Sequence, residues 1–208
     1  MTGNGNGSRP ADSQFEAARR EMVERQIRQR GIRSSRVLDA ISSVPRHLFV
    51  PPHLLANAYR DEPLPIGEGQ TISQPFMVAA MAEALSLEGS ERVLEVGAGS
   101  GYQAALLSLL AREVIAVESQ PNLAAAARER LAQLGYSNVR IVEGDGSLGW
   151  PSDAPYEAIL VTAVRRRMSR RSGLREALWQ DHLGADRELP PELRPTSHMK
   201  PPPALPPA

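Results

Sequence analysis

Cysteine is absent from this chain. That excludes disulfides, a cysteine nucleophile, zinc ribbons and iron–sulfur ligation, and it fits a reducing compartment. Histidine is scarce: His47, His53, His182 and His198 form no ligand-spaced pair, so no metal site is expected. Aromatic residues make up only 4% of the chain, too few for a base-stacking nucleic-acid surface. Neither charge sign is in excess; with a formal net charge of zero, no global field draws nucleic acid or acidic membranes. No apolar run reaches membrane-spanning length. The first residues, Met1-Thr-Gly-Asn-Gly-Asn-Gly-Ser8, lack the basic-then-apolar order of a secretory leader. The expectation is a cytoplasmic monomer that engages neither nucleic acid nor membrane.

What is present centres on Glu95-Val-Gly-Ala-Gly-Ser-Gly-Tyr102. A short apolar run, Val93-Leu94, precedes it, and Gln103–Leu110 after it reads as a helix. Strand, glycine turn and helix bring backbone N–H groups up to a ligand. Gly97, Gly99 and Gly101 are spaced G-x-G-x-G, and the next place, where a dinucleotide fingerprint wants a small residue, holds Tyr102. With Glu95 opening the turn, the pattern resembles the first motif of Rossmann-like methyltransferases that use S-adenosylmethionine.

Taken in order, residues 1–13 are Gly/Asn/Ser/Pro-rich and expected to be disordered. A helix is expected from Phe15 to about Arg30, closed by Gly31, and a second after a Ser34-Ser35 cap, carrying Val37, Leu38 and Ile41. Pro45–Pro52 reads as extended, His53–Ala58 as a short helix and Tyr59–Gly69 as a loop. A helix starts at Pro75, which puts Thr71 and Ser73 at its N-terminus, where hydroxyls and free N–H groups hold a carboxylate. Strands are expected at Arg92–Val96, Glu113–Glu118, Val139–Val142 and Tyr156–Thr162, with helices between. This alternation implies an α/β fold with a parallel sheet. Residues 14–88 form an N-terminal helical, substrate-side segment, 89–163 a ligand-binding α/β unit, and 164–208 a basic then proline-rich tail expected to be largely disordered.

Glu118 ends the second strand about twenty residues past the first glycine, where an acidic side chain accepts hydrogen bonds from both ribose hydroxyls of a nucleoside. Asp145, between Gly144 and Gly146 just past the third strand, can accept from an adenine amino group; the plain alternative is an ordinary Asp-Gly turn. Sites at the carboxyl ends of successive strands converge on one crevice.

The segment before the glycine turn carries a more specific resemblance. Ala58-Tyr-Arg-Asp-Glu-Pro-Leu-Pro-Ile-Gly-Glu-Gly-Gln-Thr-Ile-Ser-Gln-Pro-Phe-Met-Val-Ala79 closely resembles protein-L-isoaspartate O-methyltransferases. So do Val44-Pro-Arg-His-Leu-Phe-Val50, Val93–Tyr102 and Gly144-Asp-Gly146, over roughly residues 18–163. The resemblance implies a Rossmann-like methyltransferase with S-adenosylmethionine as donor. It implies transfer of a methyl group to the stray α-carboxylate of isoaspartyl residues in damaged proteins, whose ester then cyclises to a succinimide that reopens to aspartate. It makes Ser73 the active-site residue, orienting the carboxylate. Gln70, Thr71, Ile72 and Ser73 then touch the donor, together with Glu95, Gly97, Gly99, Gly101, Glu118, Asp145 and Gly146. A carboxylate is ionised at neutral pH. It needs no general base, in keeping with the lack of His or Lys among these site residues.

Where the family follows its fourth strand with Thr-Ala-Ala-Pro, this chain has Thr162-Ala163-Val164 and an arginine run, Arg165–Arg171. The C-terminal part of the sheet is therefore expected to be incomplete, with the fourth strand an open edge. A divergent or frameshifted C-terminus accounts for this, and a catalytically impaired donor-binding relative is one alternative function. A nucleic-acid methyltransferase, with the arginines on phosphate, is the other. The missing Asn/Asp-Pro-Pro-aromatic tetrad, the zero net charge and the few aromatics weigh against it.

Overall fold

A computed structural model describes residues 10–163. The expectations for residues 1–9, the basic run and the proline-rich tail lie outside the described residues.

Helix α1 begins at Pro10 and runs to Glu21, five residues ahead of the Phe15 start that the apolar pattern gives. It continues through a π-helical stretch, Met22–Ile27, and a 3-10 turn, Arg28–Arg30. Met22 and Ile27 are fully buried. Gly31 ends it in the left-handed region at φ 111°, as its position predicts. Helix α2, Ser35–Ser43, is capped by Ser34, whose hydroxyl oxygen accepts from the Val37 N–H at 3.4 Å. The segment expected to be extended instead winds into a 3-10 turn, Arg46–Phe49, that buries Arg46 and Phe49. A second 3-10 turn covers Pro52–Asn57.

The expected loop at Tyr59–Gly69 contains half of a β-hairpin. Strand β1, Leu64–Gly67, pairs antiparallel with β2, Gln70–Ile72. The connecting Glu68-Gly69 has φ values of 53° and 67°, the both-positive geometry of a tight hairpin turn. Pro63 and Pro65 made this segment read as loop, but in a two-stranded ribbon a proline can face outward without costing a ladder bond. Thr71 therefore sits in a strand rather than at a helix N-terminus. Helix α3 spans Pro75–Ala84.

The main sheet follows expectation closely: β3 Arg92–Val96, β4 Glu113–Glu118, β5 Val139–Glu143 and β6 Ala158–Val161. All pairings are parallel, in the order β5-β4-β3-β6. Helix α4, Tyr102–Ser108, joins β3 to β4, and α5, Pro121–Gln133, joins β4 to β5. Alternation along β3 sends Val93 and Glu95 to one face and Leu94 and Val96 to the other. On the first face the main core gathers α1, α2, α3 and α4; on the second a smaller cluster packs Leu94, Ile115 and Val117 against Trp150 and Tyr156. Every residue of α4 is buried, as befits a helix apolar nearly all round. Among the described residues β6 has a single neighbouring strand, β3, with Ile159 and Val161 exposed; the expected open edge turns on the chain after Ala163, which lies outside the described residues.

Leu106 of α4 is fully buried in this core. Leu106→Ala is expected to cost about 2–5 kcal/mol by leaving a cavity; urea unfolding reads this as a lowered midpoint at unchanged slope.

Candidate functional site

Strand order reverses at β3. The chain steps from β3 to β4 to β5 in one direction, then returns to place β6 on the other flank of β3. Open parallel sheets bind ligands at such a reversal, outside the carboxyl ends of the strands. The glycine loop leaves β3 at this point.

Two features shape the loop. Gly97 has φ 101°, and a Cβ on it would stand 2.5 Å from Ala163 Cβ and 2.9 Å from Ala163 N. The end of β6 thus lies directly on the loop. The Thr162 hydroxyl fastens it, donating to the Gly97 carbonyl at 2.6 Å and lying 3.1 Å from the Val96 carbonyl. Gly99 has φ 52°, and its N–H donates to Glu118 Oε2 at 2.8 Å. Glu118 Oε1 accepts from the Gln120 N–H at 2.9 Å. A carboxylate has about four lone-pair sites, so roughly half of its accepting capacity is left for a ligand.

A narrow cavity of about 40 Å³ lies beside the loop. Thr71, Ile72, Ser73, Glu95, Gly97 and Gly99, all singled out from sequence, line it. Val78, Ala98, Ser100, Tyr102, Gln103 and Thr162 join them without having been singled out as site residues. Thr162 had a usable signal, since a strand end next to β3 in the sheet must abut the loop. Tyr102 and Gln103 had none beyond adjacency to the glycines.

The other expected residues fall differently. Gln70 is exposed on the hairpin and does not line the cavity. Gly101 faces α5, where a Cβ would stand 3.2 Å from Leu131 Cδ1. Gly146 packs on β3, 2.7 Å from Val96 Cγ1 by the same measure, which brings its loop to the sheet's carboxyl edge. Asp145 is exposed, and its Oδ1 accepts from the Ser147 N–H at 3.0 Å, so it does form the turn that its sequence suggests.

Ser73 is half-buried and is not the cap of α3. Gln74 holds the N-cap position without a side-chain bond, and Asp61 accepts from the Phe76 N–H at 2.9 Å instead. Arg30 pairs with Asp61 and lies 3.7 Å over the Phe76 ring, which fixes that arrangement. The Ser73 hydroxyl is thereby spared a capping role.

The hairpin leans over the loop. Ile66 Cδ1 lies 3.2 Å from where a Gly99 Cβ would be, and Asn122 Nδ2 donates to Glu68 Oε1 at 2.8 Å, tying the hairpin tip to the start of α5. A roomier hollow of about 540 Å³ lies beside α1, lined by Phe15, Met22, Gln26 and Tyr59 among others. No glycine loop or strand end reaches it, so volume alone does not mark the site.

Glu95 is the most unusual group. It is fully buried on the cavity wall, and neither oxygen has a hydrogen-bond partner. Burial first, and the negative charge of Glu118 second, push its carboxyl well above the usual carboxylate range. Perturbed carboxyls in clefts are marks of function.

The family model for protein-L-isoaspartate(D-aspartate) O-methyltransferase matches residues 17–171. The chain belongs to that family. A protein-L-isoaspartate O-methyltransferase of Methanoculleus marisnigri is 59% identical over 146 residues, 70% of this chain and 66% of the relative. The chain thus spans just under two thirds of that relative's length. A solved protein-L-isoaspartate O-methyltransferase is 33% identical with a TM-score of 0.63, over 69% of this chain and 47% of that one. A Plasmodium falciparum structure of the same description, in complex with S-adenosyl-L-homocysteine, shares the fold at 23% identity with a TM-score of 0.59, over 73% of this chain and 76% of that one. The Rossmann-like methyltransferase architecture expected from the sequence is therefore present in the chain.

Glu95 generates a stability prediction independent of any ligand. Its folded-state pKa lies above the unfolded one, so the native state holds the extra proton as pH rises past the ordinary carboxyl range, and the wild type loses stability through that window. Glu95→Gln removes the loss. The variant is expected to melt higher than wild type by more at pH 8 than at pH 5; an equal difference at both, by thermal unfolding, contradicts this.

Proposed function

We propose that this chain binds S-adenosylmethionine across the carboxyl ends of β3, β4 and β5, beside the glycine loop, and transfers its methyl group to the free carboxylate of isoaspartyl residues in damaged proteins. The observation that carries the reading is the meeting of Ser73, Glu95 and the glycine loop on one cavity, with Glu118 bonded to that loop. The residues fit the donor. Glu118 retains accepting capacity for ribose hydroxyls, the Asp145–Gly146 loop reaches the sheet edge where adenine would lie, and Glu95 is an unmet acceptor for a cationic group. The cavity is narrower than a nucleoside, so binding requires the Ile66 side chain and its hairpin to give way.

When bound, the donor supplies a methyl carbon on a positively charged sulfur, electrophilic enough for a carboxylate oxygen to attack unaided. The protein's part is alignment. Ser73 donates its hydroxyl proton to one substrate oxygen and turns the other toward the methyl group. Thr71 and Ile72 wall the approach, and Gln70 stands at its rim. Gly97 and Gly99 keep the loop close, and Gly101 sets the turn into α4. Positioning of this kind is worth several kcal/mol, up to roughly 7–11 in favourable cases. We place the activity in the cytoplasm, a reading supported by the lack of cysteine, and read the chain as a monomer. No helix among the described residues is long and apolar enough to cross a membrane.

A second reading, donor binding without turnover, draws on the exposed Ile159 and Val161 of β6. Labelled donor with an isoaspartyl peptide is expected to yield a base-labile methyl ester, and the matching aspartyl peptide none; equal labelling contradicts the specificity. Calorimetric binding of S-adenosylhomocysteine without turnover favours the second reading. Ser73→Ala is expected to lower kcat/KM by roughly 10- to 100-fold, the loss of one hydrogen bond to a charged group, with donor affinity unchanged.

A further inference from the structure

Arg46 has no role in the function above, yet it is the largest fully buried side chain of the described residues. Its Nε donates to the Ala58 carbonyl at 2.8 Å. Neither terminal nitrogen, Nη1 nor Nη2, completes a hydrogen bond. Among the described residues it makes no ion pair, with Asp61 attracting it only through the longer-range charge, and Cζ lies 5.0 Å from the Tyr102 ring centroid. The Tyr102 ring and hydroxyl are near enough to favour the charged guanidinium, though burial outweighs them and lowers its pKa. A buried cation without a close counter-ion is costly.

Tyr102 connects Arg46 to the cavity. It lines the cavity wall, is 1% exposed, and its hydroxyl has no partner. Gln103 lines the same wall, and its side-chain nitrogen and oxygen are likewise unmet. Glu95, on that wall too, is an unmet acid. Unmet donors and an unmet acid around one narrow space suit a molecule that carries a carboxylate and an ammonium together.

We propose that Arg46, acting with Tyr102 and Gln103, selects the donor through the carboxylate of its amino-acid end. The inference rests on the donor-binding reading of this cleft. Tyr102 and Gln103 donate to the carboxylate, and the Arg46 charge behind the Tyr102 ring supplies the long-range attraction; Arg46 is a positioning and specificity residue, not a catalytic one. The carboxylate is the donor's rather than the peptide's because Glu95 is placed on the same wall to take the accompanying ammonium.

Calorimetry with S-adenosylhomocysteine and with 5′-methylthioadenosine, which lacks the amino-acid end, tests this. Wild type is expected to prefer S-adenosylhomocysteine. Arg46→Met is expected to weaken S-adenosylhomocysteine by roughly 10- to 100-fold and to leave methylthioadenosine within about twofold. Arg46→Lys is expected to recover part of the loss. Equal weakening of both ligands, as a purely structural role would give, overturns the proposal. If Arg46→Met does not fold, Tyr102→Phe decides: it keeps the ring against Phe49 (centroids 5.4 Å apart) and removes only the hydroxyl. A selective loss of S-adenosylhomocysteine supports the proposal, and no change or an equal loss of both overturns it. Wild type that binds neither ligand refutes the donor-binding reading itself, whereas wild type that binds both equally refutes only the carboxylate selection. An Arg46 effect confined to the peptide KM assigns the carboxylate to the substrate and likewise overturns it.

Discussion

Glu118 holds the site together. Its carboxylate ties the end of β4 to the glycine loop that leaves β3, through the Gly99 N–H, and to the entry of α5, through the Gln120 N–H. Charge-assisted bonds of this kind are stronger than neutral ones. Three parts of the chain are thus set by one side chain that is 6% exposed. The second fastening comes from Thr162, which clamps β6 to the opposite side of the same loop. Between these two the loop has little freedom, and the cavity beside it takes its shape from them.

The cost of this arrangement shows in the polar groups around the cavity. Glu95, Tyr102, Gln103 and Arg46 are buried with hydrogen-bonding capacity unmet. Unsatisfied buried polar groups are rare in native proteins and expensive. Here they concentrate on and behind one wall while the apolar core around α4 is closely filled. Stability from that core offsets a site that is electrostatically strained until something enters it. The hairpin fits the same picture. It is short, two-stranded and pinned at its tip by Glu68 and Asn122, so it covers the loop without being part of the main sheet.

The strands and helices from Arg92 to Val161 were legible because β3 and β4 are near-continuous apolar runs and the intervening helices begin at Pro121 or directly after glycine. The hairpin was not legible, since its prolines and glycines read as loop and its pairing depends on two positive φ values, one of them at Glu68. The 3-10 turn at Arg46–Phe49 escaped for a related reason: four residues bounded by prolines carry no period. At the site, the glycines and the strand-end acids were readable from spacing. Thr71 was placed on the wrong element, and Gln70 and Gly101 lie off the cavity wall. Thr162 enters only once the strand order is known, because sheet neighbours are not sequence neighbours, while Tyr102 and Gln103 enter because the first turn of α4 faces the cavity.

Glu118 as the common anchor of loop and nucleoside is tested most directly by a crystal structure of the full chain with S-adenosylhomocysteine. The ribose hydroxyls are expected within about 2.6–3.2 Å of the Glu118 carboxylate, with the Gly99 bond retained and Ile66 displaced. A nucleoside bound away from the carboxyl ends of β3 and β4, or a Glu118 carboxylate that makes no contact with it, contradicts this placement.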